Sequence, residues 1–248
     1  MRLVTVLPAA MRLNVFARSV VAVALLGALP AGIAAQRHSP GAGDGTSFSG
    51  WVGIARHAPG GPFGVAVGND VSLVGLRVVH TVHAGRRWAF DYTADLLPAA
   101  WVSMPSPPQY ELVRPCNPAR GACEFRVIES GDHLVYGIGA APLGAQLRFA
   151  RGRRIQPYLG AAVGVLWFRE DVPQAHSARR NVAAEGGAGL MLVVTRQLGV
   201  QFGYKLQHIS NAGTGPLNPG LDSHMFHVGL LRLARGGTTG SSTPRAGP

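Results

Sequence analysis

Hydrophobic and polar residues alternate along most of this chain, in segments separated by residues typical of turns. Side chains two apart on a strand share a face, so the alternation predicts β-strands with one apolar face. We predict eight strands, at residues 47–56, 71–83, 86–101, 133–150, 154–168, 181–196, 198–210 and 222–234. The third is the clearest, because its aromatic residues Trp88, Phe90 and Tyr92 fall on the face opposite to Asp91 and Asp95.

The predicted connections alternate in length. Those at 84–85, 151–153 and 197 are tight, whereas those at 57–70, 102–132, 169–180 and 211–221 are long. Outer-membrane barrels have short periplasmic turns and longer outside loops, and a tilted membrane-spanning strand needs about 9–11 residues. We therefore predict an all-β fold, an eight-stranded antiparallel transmembrane β-barrel over residues 47–235, in the bacterial outer membrane with both ends in the periplasm.

Two soluble folds are alternatives to this prediction. A lipocalin-like barrel or a secreted β-sandwich would show similar strands, with the apolar face turned inward. The positions of the four tryptophans near strand ends favour the membrane, as in an interfacial girdle. These residues are Trp51, Trp88, Trp101 and Trp167.

Charged residues fall on the polar faces of the predicted strands. They carry both signs, so they could pair inside an eight-stranded barrel, which its own side chains fill. These residues are Arg77, Asp91, Asp95, Arg148, Glu185 and Lys205. The pattern predicts a closed scaffold rather than a porin. In the fourth strand the alternation slips at Ala140-Ala141-Pro142, where we expect a β-bulge.

The two ends of the chain have other roles. Residues 1–35 combine basic Arg12 and Arg18, a short apolar stretch and small residues at a cleavage site, which predicts a secretory signal peptide. We expect residues 36–46 to be an N-terminal segment before the barrel, and residues 236–248, which are rich in Gly, Ser and Thr, to be a flexible tail. The sequence thus predicts one barrel domain that is preceded by an export signal.

The composition of the chain indicates which classes of molecule it could bind. Its net charge is +11, and in a secreted protein such a charge indicates anionic lipid or polysaccharide rather than nucleic acid. The two cysteines, Cys116 and Cys123, lie in a polar, Pro-rich segment and are expected to form a local disulfide, since nearby partners for a metal site are lacking.

A candidate catalytic pair lies at the end of the seventh predicted strand. His208 and Ser210 share a face with apolar residues of that strand, which in a membrane barrel meets lipid. Their α-carbons should lie roughly 6–7 Å apart, and a serine needs a neighbouring base to become nucleophilic. Asp222, at the start of the eighth strand, has the same parity and is the candidate acid that orients His208. Glu185 is an inward-facing alternative acid.

The loop between them could stabilise an oxyanion. Asn211 and Asn218 carry amide donors, and Gly213 allows a backbone N–H to approach closely. Asn, Gly and Pro are also the residues that dominate turns, so the same loop is consistent with a turn that has no catalytic role.

The stretch from Tyr204 to Gly213, containing His208-Ile-Ser210-Asn211 and followed by Asn218-Pro-Gly, resembles the signature of the lipid A 3-O-deacylase (PagL) family. The resemblance implies an eight-stranded outer-membrane barrel with an external active site, which hydrolyses the acyl chain at position 3 of lipid A. It also implies the individual roles: His208 the base, Ser210 the nucleophile, Asn211 its neighbour, and Gly213 and Asn218 the oxyanion positions. Asp222 stands where the family pattern has Glu.

The implied reaction needs no metal or organic cofactor. His224 and His227 have opposite parities, so a zinc site shared with Asp222 is not expected, and no Gly-x-Ser-x-Gly elbow indicates a soluble hydrolase. The implied partners are lipopolysaccharide and outer-membrane lipids. Arg169, Arg179 and Arg180 could meet lipid A phosphates or be solvated. The alternative functions are a non-catalytic barrel, adhesive or structural, and a lipid A acyltransferase.

Overall fold

A computed structural model describes residues 45–105, 109–117, 122–128 and 132–233, and for 109–117 and 122–128 it describes the backbone. The strands are β1 (Thr46–Ala55), β2 (Asp70–Ala84), β3 (Trp88–Met104), β4 (Gln109–Asn117), β5 (Ala122–Ile128), β6 (His133–Phe149), β7 (Ile155–Val172), β8 (Ala178–Val193), β9 (Leu198–Ser210) and β10 (Leu221–Arg232). The predicted signal peptide and C-terminal tail lie outside the described residues.

Eight of the strands close into an antiparallel barrel in the order β1-β10-β9-β8-β7-β6-β3-β2. This confirms the predicted fold class. The remaining two, β4 and β5, pair only with each other and form a hairpin in the long connection between β3 and β6, which the alternation did not predict. Among the described residues, no helix is long and apolar enough to cross a membrane.

The two ends of the barrel differ in their connections. The loop end carries the segments 56–69 (loop 1), 173–177 and 211–220 (loop 4) and the connection between β3 and β6, of which β4 and β5 are described. The turn end carries 85–87, 150–154 and 194–197. Strands β7 and β8 run further toward the loop end than predicted. Their pairing resumes at Val172 and Ala178 after an irregularity at Trp167, so their connection is shorter than the predicted 169–180.

The inward faces of the strands carry the predicted charges, and these form ion pairs. Arg148 Nε lies 2.7 Å from Asp91 Oδ2, and both side chains are almost fully buried. A second group joins Arg77 to Asp95 at 2.8 Å and to Glu185 at 3.4 Å, while Lys205 Nζ lies 2.6 Å from Glu185. Buried charges are costly unless they are paired, so these contacts explain how polar strand faces can line a closed interior.

The prediction of a tryptophan girdle is wrong for Trp51. It is 4% exposed and lies inside the barrel, where its indole Nε1 donates a hydrogen bond to Asp95 at 2.7 Å and Lys205 Nζ lies 4.0 Å from the ring centroid. Glycine makes the space for it: a Cβ on Gly75 would lie 2.2 Å from the indole. In contrast, Trp88 and Trp167 are exposed on the outer surface as predicted.

The outer surface is apolar between the two ends. Its exposed large side chains include Phe90, Leu96, Ile138, Leu143, Leu159, Val163, Val165, Phe202, Leu206, Phe226 and Val228. An apolar exterior around a polar interior is the pattern of a barrel that lies in a bilayer. The bulge predicted in the fourth barrel strand is confirmed, since the register of β6 against β7 shifts between Ala140 and Leu143.

Candidate active site

His208 and Asp222 face each other across two neighbouring strands. They are register partners on β9 and β10, near the loop end of the barrel. His208 Nδ1 and Asp222 Oδ1 are joined by a hydrogen bond of 2.6 Å. A carboxylate on Nδ1 fixes the ring so that Nε2 is the nitrogen that can accept a proton, which is the arrangement a general base needs.

The second oxygen of Asp222 is held by loop 1. The backbone N–H groups of Phe63 and Gly64 both donate to Asp222 Oδ2, each at 3.0 Å. The Phe63 ring also packs edge-on against His208, with ring centroids 5.9 Å apart. The sequence reasoning missed these two residues. The glycines in Gly60-Gly61-Pro62-Phe63-Gly64 indicate that the backbone could approach another segment closely. The sequence does not show that this segment contains Asp222, about 160 positions away.

Ser210 lies two residues beyond His208 on the same outward face and is partly exposed. Its register partner on β8 is Val182, and that of His208 is Ala184, so small and apolar side chains flank the pair. Within the described ranges, no hydrogen bond joins the Ser210 hydroxyl to His208. The structure therefore places His208 and Ser210, both partly exposed, on one outer patch, with Asp222 buried beside them and the histidine–carboxylate bond formed.

Asn211 organises loop 4 from a buried position. Its Oδ1 accepts from the Gly213 N–H at 2.9 Å, and its Nδ2 donates to the Leu217 carbonyl at 2.7 Å. The Asn211 carbonyl accepts from Thr214, through the backbone N–H at 3.0 Å and the hydroxyl at 2.7 Å. These bonds close the turn directly after Ser210, so Asn211 fixes the shape of the loop.

Gly213 and Asn218, the two predicted oxyanion positions, differ in whether their N–H donors are free to bind an oxyanion. The Gly213 N–H already donates to Asn211, so in this conformation it is not available to an oxyanion, contrary to the expectation from the sequence. Gly213 instead supplies the positive φ of 77° that the turn requires. Asn218 is exposed, and its Oδ1 accepts from the Asn211 N–H at 3.2 Å, which leaves the Nδ2 group as the donor.

Glu185 and the remaining histidines lie apart from this patch. Glu185 is paired with Lys205 and Arg77 inside the barrel, so it does not contact His208. His227 faces the interior and bonds to Tyr158 at 2.9 Å, whereas His224 is exposed on the outside and bonds to Tyr204. No group of three or more metal-binding side chains occurs among the described residues.

The cysteines lie in the β4–β5 hairpin. The register pairs Arg114 with Glu124 and Asn117 with Ala122, so Cys116 and Cys123 are on adjacent strands of one hairpin. Their side chains fall outside the described part of the chain, and the disulfide remains a prediction.

Arg180 lies on the outer surface close to Ser210. It shares a strand face with Val182, the partner of Ser210, and its guanidinium carbon lies 4.7 Å from the centroid of the Trp167 ring. Stacking of this kind orients an arginine while its donors stay free. Arg169 and Arg179 are exposed nearby, at the loop end of β7 and β8.

Comparison with known proteins agrees with the resemblance in the sequence. The model of the family "Lipid A 3-O-deacylase (PagL)" matches residues 73–230, whereas no curated protein is significantly similar. Similar solved structures include the outer membrane enzyme PagL (16% identity, 73% of this chain and 97% of that chain, TM-score 0.49). Another is Neisserial surface protein A, with 14% identity over 77% of this chain and 98% of that chain and a TM-score of 0.43. A third is OprG from Pseudomonas aeruginosa, with 10% identity over 77% of this chain and 97% of that chain and a TM-score of 0.42.

The family match covers more than half of the chain, runs from within β2 to within β10, and includes His208, Ser210 and Asp222. The chain therefore belongs to the lipid A 3-O-deacylase (PagL) family and is a lipid A deacylase of the bacterial outer membrane.

Proposed function

We propose that this protein is a serine esterase that hydrolyses the acyl chain ester-linked at position 3 of lipid A. The observation that carries the proposal is the 2.6 Å bond between His208 and Asp222, on the outer surface of the barrel beside Ser210. The ester bonds of a membrane lipid lie where the acyl chains meet the headgroup. His208 and Ser210 lie at the loop end, above the apolar surface of the barrel, and so at the depth of these ester bonds in the membrane.

Ser210 is the nucleophile in the proposed reaction. His208 Nε2 takes the proton from Ser210 Oγ as Oγ bonds to the acyl carbonyl carbon, and Asp222 stabilises the imidazolium that forms. The intermediate then expels the sugar 3-oxygen, which takes the proton from His208. Water hydrolyses the acyl-serine by the same base, so one fatty acid is released and Ser210 is regenerated. The hydrogen bond between Ser210 and His208 forms in the substrate complex, as catalytic bonds often do.

Asn218 is the proposed oxyanion donor. Its side-chain oxygen is anchored by the Asn211 N–H, so its Nδ2 group is held at the surface of loop 4. A donor fixed before the reaction stabilises the charge that develops on the carbonyl oxygen without being reorganised. Asn211 and Gly213 act as positioning residues, because their mutual hydrogen bond holds the turn that carries Asn218 close to Ser210.

Arg180 is the proposed contact for a lipid A phosphate. Its stacking on Trp167 holds it at the rim of the barrel, one step beyond Ser210 toward the loop end. An arginine offers two parallel donors to a phosphate. Arg169 and Arg179 add positive charge at the same rim and would attract the anionic headgroup.

The test is the fate of lipid A in vesicles that contain the purified protein. We expect the mass of lipid A to fall by one acyl chain, fragmentation to place the loss at position 3, and free fatty acid to appear in equal amount. Loss from another position would overturn the assigned ester. An acyl chain recovered on a phospholipid would show transfer instead of hydrolysis, and unchanged lipid A would overturn the proposal.

A further inference from the structure

Loop 1 lies against the active site although it is distant in sequence. Its Val65 N–H donates to the Pro219 carbonyl at 2.8 Å and its Ala66 N–H donates to the Gly220 carbonyl at 3.0 Å. Ala66 also forms a parallel bridge with Leu221, the first residue of β10. These bonds attach the loop directly beside Asp222.

Two glycines allow this approach. A Cβ on Gly64 would lie 2.7–2.9 Å from backbone atoms of Gly220, Leu221 and Asp222, none of which can move aside easily. A Cβ on Gly61 would lie 2.3 Å from Asp222 Oδ2, and its three nearest atoms all belong to the Asp222 side chain. The loop thus approaches the carboxylate at distances that leave no room for a side chain at either glycine.

We propose that loop 1 is a positioning element of the active site, in which the Phe63 and Gly64 N–H groups hold Asp222 Oδ2 so that Oδ1 orients His208. This inference rests on the proposed function. A carboxylate with a single partner can rotate, whereas two N–H donors on one oxygen fix the plane of the group. The Phe63 ring, which packs edge-on against His208, also restrains the imidazole.

The arrangement also gives a role to the short side chain at position 222. Aspartate has one methylene fewer than glutamate, so its carboxylate stays close to the strand backbone. The N–H groups of loop 1 reach it there, since they lie over the start of β10. The Phe63 and Gly64 N–H groups act on the site through Asp222, and the Phe63 ring contacts the proposed base His208 directly.

The test is a double-mutant cycle in the full-length protein in lipid vesicles. We expect Gly61→Ala to push the carboxylate aside and to lower kcat about a hundredfold, the scale reported for displacements near 1 Å. In an Asp222→Gly background, the atoms that the new methyl group would meet are gone, so Gly61→Ala should change the remaining rate less than about threefold. Gly50→Ala, on the outer face of β1 with its nearest atom at 3.9 Å, is the matched control.

A second measurement does not need activity. The ring N–H signal of His208 in a nitrogen–proton NMR spectrum reports its bond to Asp222, and Gly61→Ala should shift or broaden it while Gly50→Ala leaves it unchanged. An equal loss of kcat in both backgrounds, or an unchanged His208 signal in Gly61→Ala, would overturn the role of loop 1 and leave deacylation standing. A wild-type protein that releases no fatty acid would instead overturn the proposed function. The NMR signal would still show whether loop 1 positions Asp222 and His208.

Discussion

His208 and Asp222 are direct cross-strand partners, and the bond between their side chains spans 2.6 Å. Residues directly opposite on antiparallel strands have α-carbons about 4.5–5.5 Å apart, so a short aspartate can reach the ring. The family pattern has a glutamate at this position. The register of β9 against β10 explains why the shorter acid is compatible with the same contact.

Ser210 is expected to be essential. Replacing it with alanine removes the proposed nucleophile, and fatty-acid release should fall by at least roughly a thousandfold. Ser72→Ala, which removes another partly exposed hydroxyl near the loop end, on β2, is the control and should retain full activity. If Ser210→Ala released fatty acid at the rate of the wild type, Ser210 would not be the nucleophile.

Asp222 is expected to affect the chemical step rather than substrate binding. In Asp222→Ala, His208 loses the partner of Nδ1, and kcat should fall by about 10²–10⁴ with a small change in KM. Glu170→Ala is the matched control, because it breaks another carboxylate–histidine contact at the same end of the barrel, with His133 at 2.8 Å. Equal effects of the two substitutions on kcat would contradict the assignment of Asp222.

Asn218 should contribute transition-state stabilisation. Its truncation in Asn218→Ala removes the proposed donor, and the loss of one such donor costs about 10²–10³ in kcat. Gln174→Ala, an exposed amide in the segment between β7 and β8, should have no effect. The proposal for Asn218 fails if kcat is retained, or if only KM changes.

Arg180 should matter for substrate affinity. Without its guanidinium, Arg180→Ala should raise KM for phosphorylated lipid A by about tenfold or more, the effect of losing one charge-assisted hydrogen bond of about 1.5–3 kcal/mol. Dephosphorylated lipid A should be cleaved equally by both proteins. Arg232→Ala, a cation on the same outer face but at the turn end of β10, serves as the control. A KM increase that persists on the dephosphorylated substrate would exclude a phosphate contact.

The buried pair of Asp91 and Arg148 should contribute to stability. Asp91→Ala leaves Arg148 unpaired inside the barrel and should lower the free energy of unfolding by about 3–5 kcal/mol. The double variant Asp91→Ala/Arg148→Met removes both charges and should recover much of this loss. Urea unfolding in lipid vesicles measures both. If the double variant is no more stable than Asp91→Ala, the unpaired charge of Arg148 is not the cause of the lost stability.

The alternation along the chain was enough to predict the strands and their faces. A strand repeats every two residues, so each segment contains the information about which side chains lie together. On this basis the eight barrel strands, the interior charges and the shared face of His208, Ser210 and Asp222 follow from the sequence. The resemblance to the family then implied a role for each of the three residues, which stays a proposal.

Other features depend on contacts between distant segments. Phe63 and Asp222 are 159 positions apart and meet because barrel closure places β1 beside β10. Trp51 lies inside because Gly75 leaves room for it, which the sequence near Trp51 does not show. The Gly213 N–H is bound by Asn211, a consequence of how loop 4 folds. Local periodicity therefore determined the barrel strands and the face on which the candidate site lies, whereas closure and loop packing decided which groups hold its residues together.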